Sequence, residues 1–125
     1  MPDATSPSVA SFAQRAAAIC LENKANDVVL LDLADVTDMT DFFVIASGTS
    51  DTHVRALAEH VIEGLRKDGM RVHHVEGLPQ GRWVLLDYVH FVVHLFLPAL
   101  REFYQLERLW SDAQAVAVEA QGALS

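Results

Sequence analysis

The chain has 125 residues, the size of one compact domain, which argues against a two-domain enzyme with an interdomain cleft. Its 51% hydrophobic and 21% charged residues are typical of a globular protein and not of a disordered tail or a coiled coil. Nine Lys and Arg against 17 Asp and Glu give a formal net charge of -8, which disfavours nucleic acid as the direct partner.

The first helix is predicted over residues 9–22, where apolar residues recur at helical spacing, with Ser6 before Pro7 as its N-cap. The single cysteine of the chain, Cys20, falls among apolar residues of this helix and predicts a buried thiol in a reducing compartment. Residues 1–7 are expected to form a flexible leader without a basic patch and apolar run, so no export signal is predicted.

A second helix is predicted after residues 47–50, where Thr49 or Ser50 can cap it, and Gly69 is placed to end it in a left-handed conformation. Pro98 is expected to open a third helix. Five short runs rich in β-branched and apolar residues predict strands: 28–33, 42–46, 71–76, 82–88 and 90–96.

This order of elements indicates an α/β or α+β fold, with a five-stranded mixed sheet flanked by helices in a single domain over residues 8–112. Residues 113–125 lack a sustained apolar face and are expected to form a loose tail. The apolar runs near the C-terminus are broken by Asp87, His90 and His94, so no membrane span is predicted and the expected location is the cytoplasm.

The segment between the second predicted strand and the second predicted helix is a candidate phosphate-binding site. Gly48 to Ser50 lies between a strand and a helix, where backbone amides can hold a phosphate. Two-metal nucleotidyl transfer also needs a pair of carboxylates on an adjoining strand. Asp87 is the only carboxylate on its predicted strand, so that pair is absent there. A small nucleotide-binding or nucleotidyltransferase-like enzyme using Gly48, Ser50 and Asp87 is therefore kept as the alternative function.

The histidines do not predict a metal centre. His90 and His94 have a spacing that joins two imidazoles on a helix, but on a strand they lie about 13 Å apart, too far for two zinc bonds of about 2 Å each. His73 and His74 would face opposite sides of a strand. We expect structural histidines, no metal site and no cofactor.

Charge and alternation give a more informative pattern. Between Lys24 and Arg55 there is no basic residue, and the aspartates there are equally consistent with loop capping and with a docking face for a basic partner: Asp27, Asp32, Asp35, Asp38, Asp41 and Asp51. Alternation along 82–88 predicts one face with Trp83, Leu85 and Asp87 and the other with Val84, Leu86 and Tyr88.

Several motifs in order resemble the ribosomal silencing factor family, also called RsfS or Iojap: DFFVIASGTS at 41–50, WVLLDY at 83–88, VVHLF at 92–96 and REFYQLERLW at 101–110. The resemblance runs from about residue 9 to residue 112. It implies a non-enzymatic protein whose fold is distantly similar to nucleotidyltransferases but lacks their catalytic carboxylates.

The resemblance further implies binding to the large ribosomal subunit through its fourteenth large-subunit protein. It implies that the bound protein blocks the small subunit sterically and so represses translation when nutrients are limiting. No catalytic residue is implied. Matching positions assign partner contact to Trp83, Leu85, Asp87, Tyr88, His94 and Phe96 in the sheet and, secondary to packing, to Arg101 and Tyr104 in the last helix.

The sequence departs from the family pattern near the last predicted strand. Val89 and His90 stand where a Gly-Asp turn is usual, and Leu97 and Ala99 replace a polar and an acidic residue. Added apolar area there suits either the ribosomal partner or a second copy of the chain. A homodimeric adaptor is therefore the third function considered.

Overall fold

A computed structural model describes residues 8–99 and 114–118 of the chain. Two helices and six strands follow one another as α1 (Val9–Glu22), β1 (Asn26–Asp32), β2 (Phe42–Ser47), α2 (Asp51–Lys67), β3 (His74–Glu76), β4 (Trp83–Asp87), β5 (Phe91–Phe96) and β6 (Gln114–Val116).

The strands form one mixed sheet in the order β3-β4-β5-β2-β1-β6. Only the central pair, β2 and β5, is parallel among the pairings of the described strands. The α+β fold with a mixed sheet is thus confirmed, but the prediction of five strands is wrong by one. The sixth strand, β6, pairs with β1 inside the segment expected to be a loose tail.

Both helices pack on one face of the sheet. In α2 the residues that recur at helical spacing are buried, namely Val54, Leu57, Ala58, Val61 and Leu65. In α1 the buried positions are mostly alanines, and these small side chains let the helices approach closely. A Cβ on Gly64 would lie 2.6 Å from Ile19 Cδ1, so a larger residue at that point of the helix contact would require the end of the Ile19 side chain to shift.

The caps agree with the sequence in α2 but not in α1. Ser50 caps α2 by accepting from the His53 amide at 3.1 Å, and Gly69 follows the helix with φ of 94°. For α1 the cap is Ser8, whose hydroxyl accepts from the Ser11 amide at 3.1 Å, so the assignment of the cap to Ser6 is wrong. Of the predicted third helix, all but its first residues lie outside the described part of the chain.

Cys20 is buried as predicted, and burial raises the pKa of its thiol to about 12. No helix within residues 8–99 and 114–118 is long and apolar enough to cross a membrane.

Candidate functional site

Four aromatic rings lie together on the sheet face opposite the helices, and we call them the aromatic cluster: Phe43, Trp83, His94 and Phe96. Strand pairing brings them together, since Trp83 in β4 lies opposite Phe96 in β5. The Trp83 and Phe96 rings stack with centroids 5.2 Å apart, and Phe43 meets the His94 ring edge-on at 4.6 Å. These contacts hold the Trp83 ring, which is only partly buried, in a defined orientation.

His94 is the polar member of the aromatic cluster. Its side chain is buried, and its Nδ1 accepts a hydrogen bond from the Trp83 indole Nε1 at 3.3 Å. Because Nδ1 is the acceptor, the neutral ring carries its proton on Nε2, which has no hydrogen-bond partner among the described residues. Burial lowers the pKa of His94 to about 4, so the ring is neutral at physiological pH.

Leu85 and Asp87 continue the same face of β4, as the alternation predicted, and both are half-buried. The Asp87 Oδ1 accepts a hydrogen bond from the Val89 amide at 2.7 Å. Asp87 therefore holds the turn between β4 and β5 with one oxygen, and its charge sits at the edge of the cluster face.

Tyr88 does not join this group. It is buried on the helix side of the sheet, where its ring stacks on Phe91 with centroids 4.8 Å apart, and burial raises its pKa. The structure therefore does not bring Tyr88 onto the sheet face that carries Trp83, because the alternation of β4 turns its side chain into the core. Arg101 and Tyr104 lie outside the described residues.

Phe96 is less accessible than a residue in direct contact with a partner would be. It lies on the expected face, but its side chain is fully buried. Its observable role is to support Trp83 from beneath, and direct contact of Phe96 with a partner stays a prediction.

An apolar cavity of about 560 Å³ opens on the same face and was missed by the sequence reasoning. It lies between the loop that joins β1 to β2 and the turn that joins β4 to β5. Its lining comprises Leu33, Val36, Thr37, Met39, Thr40, Phe43, His73, Leu85, Asp87, Val89 and Val92. The one signal in the sequence is Met39, an apolar residue between Asp38 and Asp41 in that loop.

The residues of the enzyme alternative are not brought together. Gly48 follows the end of β2, whereas Asp87 is in register, through Val92, with Phe43 near the start of β2. That separation corresponds to about 16 Å along a strand. Ser50 uses its hydroxyl to cap α2, and a Cβ on Gly48 would contact Val54, so tight packing explains the glycine.

His90 and His94, the two histidines with the four-residue spacing, do not form a pair. His90 lies in the turn with Nδ1 at 3.8 Å from the Asp41 carboxylate, while His94 is buried within β5. Among the residues that the structure describes, no group of three or more His, Cys, Asp or Glu side chains could hold a metal ion.

Comparison with known proteins agrees with the motifs. Residues 5–124 match the family described as ribosomal silencing factor during starvation. The ribosomal silencing factor RsfS of Bacillus subtilis is 38% identical over 103 residues, which cover 82% of this chain and 87% of that protein. The mouse protein named mitochondrial assembly of ribosomal large subunit protein 1 is 32% identical over 93 residues, covering 72% of this chain and 41% of that protein.

A crystal structure of a protein from Chromobacterium violaceum has the same fold, with a TM-score of 0.80 and 32% identity over 89% of this chain and 92% of that chain. Fold and site together define a small α+β domain with a mixed sheet and an aromatic face. The chain belongs to the ribosomal silencing factor family, which confirms the resemblance read from its motifs.

Proposed function

We propose that the chain binds the large ribosomal subunit, through its fourteenth large-subunit protein, and prevents the small subunit from joining. Translation is thereby repressed in the cytoplasm when nutrients are limiting. The family match over residues 5–124 carries this proposal. The name of the mouse relative, which refers to the large subunit, supports the choice of that subunit.

The aromatic cluster and its neighbours Leu85 and Asp87 are the proposed contact surface. Trp83 has the properties of an interface anchor, since it is large, partly buried and already held in one orientation by Phe96 and His94. A preorganised ring costs little conformational entropy when a partner covers it. Tryptophan is also among the residues that most often dominate binding energy.

Charge favours a basic protein as the partner. The chain carries a formal net charge of -8, and no basic residue occurs between Lys24 and Arg55. Such a surface attracts a basic ribosomal protein and repels the phosphates of the RNA around it. Charge then speeds and orients encounter, whereas buried aromatic contacts supply most of the affinity.

The mechanism needs no covalent chemistry. A folded domain seated on the joining face of the large subunit excludes the small subunit from the same space. Inhibition is then set by occupancy, so it follows the affinity of the chain for the large subunit.

Cosedimentation with purified large subunits tests the proposed surface. Trp83→Ala removes the anchor and is expected to weaken binding about tenfold or more. The matched control is Tyr88→Phe, which removes only a hydroxyl that is buried on the helix side and has no hydrogen-bond partner among the described residues. This control is expected to bind like the wild type.

Circular dichroism and thermal melting establish that both variants are folded. Equal binding of folded Trp83→Ala and the wild type would contradict the proposed surface. Absence of wild-type binding at micromolar concentration would contradict the proposed function itself.

A further inference from the structure

The turn between β4 and β5 contains a strained residue. Val89 has φ of 72°, in the left-handed region that a β-branched side chain rarely adopts. Its side chain is 50% exposed, so packing in the free protein does little to compensate for the strain. Residues held in sparsely populated backbone conformations cluster at functional sites, ligand-binding sites among them.

The Val89 side chain lines the apolar cavity, and hydrogen bonds hold the surrounding walls in place. The Asp41 amide donates to the His90 carbonyl at 2.9 Å and ties the loop between β1 and β2 to the turn. The His73 amide donates to the Asp87 carbonyl at 2.8 Å and so fixes the segment before β3, which also lines the cavity, against the end of β4. The cavity is thus built into the fold, and a ligand would find it already formed.

The exposed apolar residues concentrate at this cavity. Within residues 8–99 and 114–118 three large hydrophobic side chains are exposed, Leu21, Met39 and Val89, and the last two both line the cavity. Met39 is 88% exposed. Apolar groups beside an apolar cavity indicate that a macromolecule covers it.

Charge decides which macromolecule fits. The ionisable residues in the lining are Asp87 and His73, and the loop that carries Met39 also carries Asp35, Asp38 and Asp41. A second copy of the chain, with its own net charge of -8, and an RNA backbone would both be repelled. A basic protein with an apolar side chain next to Lys or Arg is complementary.

We propose that the cavity receives an apolar side chain from a basic segment of the partner protein, with Val89 and Met39 as specificity-determining contacts at the cavity. Asp87 would face the neighbouring cation of the partner. This inference rests on the proposed function and names the part of the surface that selects the partner.

Two substitutions test the inference, and for each we measure both the dissociation constant for large subunits and the melting temperature. Val89→Asn places a residue that tolerates the left-handed conformation and removes the apolar side chain. We expect its melting temperature to rise by roughly 2–4 °C, and its dissociation constant for purified large subunits to rise about fivefold. Met39→Ser is expected to weaken binding about threefold or more without changing the melting temperature.

The matched control is Leu21→Ser, which makes the same kind of apolar-to-polar change at an exposed position of α1. It is expected to bind like the wild type. Binding of Val89→Asn and Met39→Ser at wild-type strength would overturn the inference. A fall in the melting temperature of Val89→Asn would overturn its premise of strain.

The Trp83→Ala variant separates this inference from the proposed function. If Trp83→Ala weakens binding while both cavity variants do not, the cavity inference fails and the proposed function stands. If the wild type does not bind large subunits at all, the proposed function fails. If the free chain dimerises and the cavity variants abolish the dimer, the occupant is a second copy and the inference is overturned.

Discussion

The His94 side chain combines a buried position with a polar contact, and both favour the neutral ring. Its Nδ1 accepts from the Trp83 indole, so a proton at Nδ1 would break that hydrogen bond. Phe43 and Phe96 surround the ring and offer no anion to stabilise a positive charge. Protonation of His94 should therefore disturb the aromatic cluster as a whole.

This arrangement predicts acid sensitivity with a definite sign. The pKa of His94 is about 4 in the folded chain, below its ordinary value of 6.5. Between those pH values the unfolded chain binds a proton at His94 that the folded chain does not bind. The contribution of His94 to stability is therefore complete above pH 6.5 and falls as the pH drops toward 4. The His94 contribution lost over that window is on the order of 3 kcal/mol.

Urea unfolding of the wild type and His94→Phe at pH 7 and pH 4.5 measures this contribution. His94→Phe should lose much less stability on acidification, since it lacks the titrating group. His60→Gln, at an exposed position of α2, is the control and should retain the wild-type loss. An equal loss in His94→Phe and the wild type would show that other groups cause the acid sensitivity.

Alternation placed Trp83, Leu85 and Asp87 correctly because the two-residue repeat of a strand depends only on local geometry. The same repeat also placed Tyr88 on the helix side, whereas motif matching alone assigned it to the partner. The strain at Val89 could not be read from the sequence, because the left-handed turn is imposed by the register of β4 against β5. The support of Trp83 by His94 likewise depends on cross-strand pairing.

At the scale of elements, the connection between β3 and β4 depends on Gly77. Its φ is 77°, and a Cβ there would lie 2.0 Å from the Trp83 carbonyl oxygen. Any side chain would push the start of β4 away, and Trp83 with it. Gly69, after α2, also has a positive φ, but a Cβ there meets no atom within 4 Å.

The two glycines therefore make a matched pair. Gly77→Ala should destabilise the chain by about 3 kcal/mol, from the left-handed conformation and the steric overlap together. Gly69→Ala should cost about 1 kcal/mol from conformation alone. Chemical denaturation measures both, and similar losses for the two variants would contradict the close approach of Gly77 to the backbone of β4.

Most elements could be predicted because their signals are local. The helical stripe of α2, its Ser50 cap and the β-branched run of β2 are each recorded in a few adjacent residues. The short β6 could not, because three residues carry no clear repeat and its pairing with β1 spans most of the chain. The Ser8 cap was missed because Ser6 before Pro7 gives an equally strong local signal.

At the scale of the whole molecule, the helices cover one face of the sheet, and the aromatic cluster and the cavity lie on the other. The face that packs on α1 and α2 supplies the larger core, while a smaller buried group, Leu31, Leu33, Ile45 and Phe96, supports the opposite face. The proposed contact surface thus lies on the side of the strands away from the larger core. Substitutions of exposed residues on that side are therefore expected to change binding while the fold is retained.

The cavity belongs to this scale as well, because its walls come from segments far apart in the chain. The loop before β2, the residue before β3 and the turn before β5 meet only after the sheet has formed. No local pattern in the sequence could therefore predict it. The family match indicates which molecule to test against that surface, and the structure indicates which side chains to change.

The most direct test of the account is a subunit-joining assay. Purified large and small ribosomal subunits are mixed with increasing amounts of the chain, and the joined particles are measured by light scattering and gradient sedimentation. We expect the wild type to abolish joining at saturation, and we expect the Trp83→Ala variant to need about tenfold more protein for the same effect. Full joining of the subunits at saturating wild-type protein would contradict the proposal that the chain blocks subunit joining, whether or not the chain binds the large subunit.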